Sequence, residues 1–311
     1  YKRCYSVPAI EKRSLIRKFT DHLIFIPDMS YELFVSLRQL KAKRAQRFIS
    51  LNTWISIGGV ALGVMALIVV IAVMSGFGKD LRDKILGTNS HVVVTNVTQA
   101  GMVDYEAVIE KITKIEGVNA AAPFILNQVM LTHRGNAVGV VMRGIDPGRE
   151  AGVSDLEKNL IQGSLKLLEG PVKHSGKSNR DGIILGKELA GRLRVQRDDT
   201  VSMVAPASRI TPMGLIPKIK LFQVVGFFES GMFEYDSNLA FISIFSAQKF
   251  FSMKGTVSGI EIRVEDIEKA DQVATGIQDS LGFPYYARDW MRMNKNLFSA
   301  LRLEKIVMFI I

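Results

Sequence analysis

Three stretches of the chain hold residue types that could do chemistry. Gly170-Pro-Val-Lys-His-Ser-Gly176-Lys177-Ser178 has the glycines, lysine and hydroxyl of a phosphate-binding loop. That loop needs four residues between its glycines, so that successive N–H groups curl round the phosphates, and it opens a helix. Here five intervene, and Asn179-Arg-Asp-Gly182 follows with turn chemistry, so a polar loop is expected. Ser246-Ala-Gln-Lys249 fits the Ser-x-x-Lys pattern of some serine hydrolases, but the Lys-Thr-Gly partner is missing. Ser246 is expected instead to cap a helix N-terminus. The histidines His22, His91, His133 and His174 are scattered, with no His-Glu-x-x-His and no carboxylate pair at ligand spacing. With no Gly-x-Ser-x-Gly either, the residues point to no catalytic group, no metal and no cofactor. They suit a transducer or a binding protein better than an enzyme.

Two other constellations suit contact rather than catalysis. Ala205-Pro-Ala-Ser-Arg209-Ile-Thr211-Pro212-Met213-Gly214-Leu215-Ile216-Pro217 carries three prolines, too many for a central sheet, and Pro-Met-Gly is turn chemistry. The expected form is a protruding hairpin with Met213, Leu215 and Ile216 near its tip, an exposed apolar group of the kind that meets a partner. The alternative is a loop folded back on its own domain. Further upstream, Gly59 and Gly63 share one helical face, and Ala72 and Gly76 repeat the small-xxx-small spacing that lets helix backbones approach closely in lipid.

The elements that must position these groups follow from charge and periodicity. Trp54 to Phe77 is 24 residues without a charge, roughly 36 Å of helix, enough to cross a hydrocarbon core of about 30 Å. Arg38, Lys41, Lys43, Arg44 and Arg47 precede this run, whereas the charges from Lys79 to Lys84 nearly cancel. Basic flanks stay cytoplasmic, which places the residues after Phe77 outside. No small-residue cleavage pattern follows, so the run is expected to remain as an anchor. The chain has 311 residues and a net charge of +10, and residues 1–50 hold 11 Lys/Arg against 4 Asp/Glu. The basicity is therefore local and gives no reason to expect nucleic acid. The only cysteine, Cys4, rules out an internal disulfide, so the outer region must rely on a packed core.

Residues 1–28 form an unassigned extension upstream of Met29, the first methionine, and 29–53 is expected to be a cytoplasmic amphipathic segment. Between about 78 and 300 short strands alternate with helices, as expected of an α+β external domain. Val92–Thr95, the helical face of Tyr105, Val108, Ile109, Ile112 and Ile115, and the apolar segments near 118–131 and 137–143 form one β-α-β-β unit. A second α/β half has strands near 222–228, 239–244 and 259–264, a helix at 246–251, and a helix whose inner face is Ile267, Ala270, Val273, Ala274, Ile277 and Leu281. These halves flank a β-rich insertion at about 147–220. Residues 301–311 read as the start of a second transmembrane helix.

The blocks Ile57–Leu67 running into Val73-Met-Ser-Gly-Phe77, Arg143-Gly-Ile-Asp-Pro147, Leu185-Gly-Lys-Glu-Leu-Ala190, Val225–Asp236 and Arg288-Asp-Trp290 with Asn294–Phe298 resemble the LolC/LolE family of lipoprotein-releasing permeases of Gram-negative bacteria. The likeness covers about residues 29–311; its first span and its Gly-Lys-Glu-Leu-Ala block also resemble the wider macrolide-exporter superfamily. The resemblance implies a permease of the inner membrane in which four helices frame a periplasmic domain. It also implies a second permease subunit, in a homo- or heterodimer, and a separate cytoplasmic ABC ATPase subunit, with lipidated proteins as substrate. Thr211-Pro-Met-Gly214 with Pro217 is similar to the hook by which LolC-type subunits hold the periplasmic lipoprotein carrier LolA. One departure is Arg197-Asp198-Asp199-Thr200, where relatives commonly have Gly-Asp. Competing expectations are an efflux or division-type permease of the same superfamily and a single-pass sensor with a periplasmic ligand domain.

Overall fold

A computed structural model describes residues 31–40, 47–88, 90–98, 101–174, 177–211, 214–253 and 255–310. Residues 1–28 and Met29 lie outside them. The chain forms two compact units, residues 1–72 and 73–311.

Helix α1 (Tyr31–Leu40) falls within the segment expected to be amphipathic. Helix α2 (Arg47–Thr88) runs 42 residues without a proline, longer at both ends than the apolar run that predicts it. Its stretch Leu51–Asp80 is long and apolar enough to cross a membrane, with a mean hydropathy of 2.8 and none of its most apolar window buried. Charged residues beyond Phe77 extend the helix because they favour helical backbone, while contributing nothing to the apolar stretch.

Residues 92–289 are built on one mixed sheet of 11 strands: β1 (Val92–Asn96), β2 (Val118–His133), β3 (Asn136–Ile145), β4 (Leu160–Gln162), β5 (Pro171–His174), β6 (Lys177–Gly186), β7 (Thr200–Thr211), β8 (Gly214–Phe228), β9 (Leu239–Ser243), β10 (Gly259–Val264) and β11 (Tyr285–Asp289). The main path runs β11-β1-β10-β2-β3-β9-β6-β8-β4, with β5 on β6 and β7 bridging β2 and β8. Most pairs are antiparallel; β3 with β9 and β6 with β8 are parallel. The β-α-β-β unit is present, with α3 (Tyr105–Ile112) burying Val108, Ile109 and Ile112. In the second half, α8 (Ala270–Leu281) buries Ala270, Ala274 and Ile277, while Ile267 belongs to a preceding 3-10 turn.

The stretch 147–220 supplies α4 (Pro147–Val153), β4 to β7, the short helix α5 (Lys187–Leu193) and the start of β8. Its strands join the same sheet as the flanking halves, because β7 pairs with β2 through Met130↔Val204, Leu131↔Met203 and Thr132↔Ser202. One apolar core follows: Ile125, Leu131 and Met142 pack in the same cluster as Ile183, Leu189, Met203 and Phe222. A smaller cluster around Leu156, Leu165, Leu168, Phe228 and Phe241 lies apart from it.

The first and last strands are neighbours, with Val92 opposite Asp289, and the Trp290 N–H donates to the His91 carbonyl at 2.9 Å. Asp289 caps the turn α9 (Trp290–Met293) by accepting from the Met291 and Arg292 N–H groups. Trp290 donates its indole N–H to the Ile267 carbonyl and packs edge-on against Phe298 of α10 (Lys295–Ile310). Arg288-Asp-Trp290 and Phe298 thus anchor the strand-to-helix junction.

Candidate functional site

The hairpin expected from the proline-rich stretch is made by β7 and β8, which pair from Thr200↔Gln223 out to Thr211↔Gly214. Among the described residues, β7 past Val204 has β8 as its sole strand neighbour, leaving a two-stranded ribbon of roughly 20 Å. The register slips between Ala205 and Arg209, a bulge into which Pro206 falls. Beyond it Arg209 lies opposite Ile216 and Ile210 opposite Leu215. The Thr211↔Gly214 pair leaves a two-residue connection, Pro212-Met213, which lies outside the described residues. The side chains of 206–216 also lie outside the description. At the base, Pro217 is exposed and lines an apolar cavity of about 500 Å³ with Met130, Gly139 and Val204. Lys218 donates to the Lys249 carbonyl and the Ser252 hydroxyl, both at 3.2 Å, and Lys220 pairs with Asp181. The ribbon is therefore rooted on the helix α7 (Ile244–Phe251) and on β6.

Gly59, Gly63, Ala72 and Gly76 are all exposed on α2, and a Cβ added at any of these glycines would meet nothing within 4 Å. At 100° per residue, Gly59 and Gly63 share a face, while the Ala72 and Gly76 pair lies about 220° round the helix.

A buried ionic cluster escaped the reading of the sequence. Arg143 on β3 and Glu261 on β10 form an ion pair at 5% and 6% exposure. Glu150 on α4, 1% exposed, accepts from the Ser154 hydroxyl at 2.6 Å. Burial, and then the charge of Glu261, push the Glu150 carboxyl up to about 7 against the pull of Arg143. Burial opposes the charge of Arg143, yet Glu261 and Glu150 together raise its pKa above the usual guanidinium value. Strand alternation in Gly259-Ile-Glu-Ile-Arg-Val264 assigns Ile260 and Ile262 to the core and Glu261 to the opposite face. It gives no sign that α4 packs near that face.

The residues weighed for catalysis hold structural posts. Ser243, rather than Ser246, caps α7: its hydroxyl accepts from the Ser246 N–H, because the helix starts two residues earlier than the pattern suggests. The Ser246 hydroxyl donates to Asp181 at 2.7 Å. That carboxylate is destabilised by burial, but hydrogen bonds from Lys220 and Ser246 outweigh burial and lower its pKa. His174 and Lys177 close a two-residue β-hairpin, so Lys177 opens a strand and not the helix that a phosphate loop requires. Burial depresses the pKa of His91, whose Nδ1 accepts from the Val264 N–H. His133 Nδ1 sits 2.9 Å from the Thr200 carbonyl. Among the described residues no group of three or more His, Cys, Asp or Glu converges at metal-ligand distance.

The recurrent sequence blocks mark close approaches. A Cβ at Gly186 would collide with the carbonyl of Asp236 on the short helix α6 (Phe233–Asn238), and Asp236 accepts from the Ser230 N–H and hydroxyl at 2.7 and 2.8 Å. In the departing turn, Asp198 holds φ +71°, the left-handed region where glycine is easiest and Asp is tolerated.

A family model for the MacB-like periplasmic core domain matches residues 53–280. The lipoprotein-releasing system transmembrane protein LolC of Xylella fastidiosa is 38% identical over 277 residues, 89% of this chain and 64% of that protein. LolC of Neisseria meningitidis serogroup B is 34% identical over 284 residues, 91% of this chain and 66% of that protein. LolE of Haemophilus influenzae is 21% identical over 287 residues, with 91% and 66% covered. The chain spans 64–66% of the length of these relatives. With an α/β sheet that follows one apolar helix and a domain match over most of its length, the chain belongs to the MacB-like periplasmic core domain family.

Proposed function

We propose that the chain is the permease subunit of an inner-membrane ABC complex that releases lipidated proteins and hands them to a periplasmic carrier, with the β7–β8 ribbon as the carrier's docking arm. The observation that carries this reading is the ribbon, free of other strand partners among the described residues from Ala205 outward and closed by Pro212-Met213. Its tip residues Thr211, Pro212, Met213, Gly214, Leu215 and Ile216 supply the contact, with Arg209 and Pro217 on the flanks. Met suits such a contact because its flexible, polarizable side chain adapts to an irregular groove.

In this reading the basic flank before Trp54 holds the N-terminus in the cytoplasm, and residues 78–300 lie in the periplasm. Residues 301–311 begin a second span. A second permease subunit packs on the Gly59 and Gly63 face of α2, and a separate ATPase subunit supplies the energy, so this chain is not itself an enzyme. Each CH₂ leaving an apolar environment costs about 0.8 kcal/mol, so extraction of an acylated anchor requires both that energy and an apolar receiver close by.

Deleting Thr211–Leu215 tests the reading. The expected result is loss of carrier capture in a pull-down, with membrane insertion, folding and ATPase turnover of the complex retained. Undiminished capture would refute the docking arm. Unfolding of the deletion would instead favour a loop folded back on its domain.

A further inference from the structure

We infer that Lys218 is a positioning residue: it fixes the direction in which the β7–β8 ribbon leaves the sheet and so, resting on the function proposed above, presents the arm to the carrier. Strand β2 supports β7 only as far as Val204, opposite Met130. The next rung, Ala205↔Lys218, is the first of the free ribbon, and the bulge between Ala205 and Arg209 follows at once. Backbone bonds of a two-stranded ribbon lie in its plane and resist bending out of it weakly, least of all at a bulge. Direction at this rung must therefore come from side chains.

Alternation along β8 sends Lys218, Lys220 and the buried Phe222 to one face and the exposed Pro217, Ile219 and Leu221 to the other. On the lysine side lies α7, held in the main core by Ala247 and Phe250. The Lys218 ammonium donates to the Lys249 carbonyl, in the last turn of α7, and to the hydroxyl of the cap residue Ser252, both at 3.2 Å, and stands 5.6 Å from the centre of the Phe250 ring. A cation suits that end of a helix, where carbonyls lack helical partners. Lys220 reaches the other end of α7 at one remove, through Asp181, which accepts from Ser246. But Lys220 lies opposite Met203, which β2 still supports, so among the described residues Lys218 is the outermost tie. On the other face Pro217 borders the apolar cavity, which leaves room for the ribbon to swing.

Cys4 is the only cysteine, so spin labels on Lys111→Cys in α3 and Ser208→Cys in the ribbon, in a Cys4→Ser background, report the direction of the arm as a distance distribution. The full chain in lipid nanodiscs is the sample, and the purified periplasmic carrier is the probe. Lys218→Met keeps the length of the side chain and removes its donors. The distribution should broaden, and association with the carrier should slow roughly tenfold with dissociation unchanged, because a smaller fraction of arms points correctly. Lys218→Arg, which still donates to both acceptors, should restore both readouts. Ser252 holds a left-handed φ of +59°, so Ser252→Gly relieves the backbone while removing one acceptor. It should broaden the distribution without lowering the melting temperature, which separates a loosened arm from a damaged fold. Unchanged distributions in Lys218→Met and Ser252→Gly overturn the inference. So does a broadened distribution with undiminished association, which leaves the ribbon standing as the docking arm. Failure of the unmodified chain to capture the carrier overturns the docking reading, and this inference with it.

Discussion

Glu150 concentrates the residue-scale chemistry of this fold. Its carboxyl, buried beside Glu261 and bonded by Ser154, titrates at about 7 rather than near 4.5. The folded chain therefore keeps a proton that the unfolded chain releases above about pH 4.5. Stability from this group is complete below that pH, falls as pH rises towards 7, and is lost above it, by on the order of 3 kcal/mol. Glu150→Gln keeps the Ser154 contact and cannot ionise, so its unfolding midpoint should lose less than the unmodified protein's between pH 5 and pH 8. Parallel pH profiles for the two would contradict the assignment. Nothing in Asp146-Pro-Gly-Arg-Glu150 foretold this, since Glu261, the charge that raises it, stands on a strand more than a hundred residues further on. Asp198 is the opposite case: the expected turn is there, and its left-handed backbone is one that Asp tolerates.

Among the elements, α2 and the ribbon were legible because each is written locally: one as an unbroken apolar run, the other as prolines around a Pro-Met-Gly turn. Boundaries were less so. Helix α2 overruns its apolar segment into charged residues that favour helix as much as the apolar ones do, and α7 starts earlier than its pattern because Ser243 outcompetes Ser246 as the cap. The two small-residue pairs of α2 point about 140° apart, so each should serve a different neighbour. Gly59→Leu should weaken permease pairing or transport by forcing backbones apart on one side only, while Gly76→Leu disturbs the other. Wild-type complex yield and activity in Gly59→Leu would remove the first face from the account.

For the molecule as a whole, the segmentation into two halves and an insertion described the chain but not its packing. Alternation and turn residues announce strands, whereas the pairing of β7 with β2 is a non-local choice that no local pattern records. Because the main core draws on residues 92–142 and 183–224 together, residues 90–294 should unfold in one cooperative transition. An early, separate loss of hydrogen-exchange protection in 147–228 would restore an independent subdomain. The adjacency of β1 and β11 carries a different consequence. Entry and exit of the fold stand one strand spacing, about 5 Å, apart, pinned by the bond between Trp290 and His91. Such a fold is a cassette: spliced between two neighbouring helices of an unrelated membrane scaffold, it makes almost no geometric demand on its host.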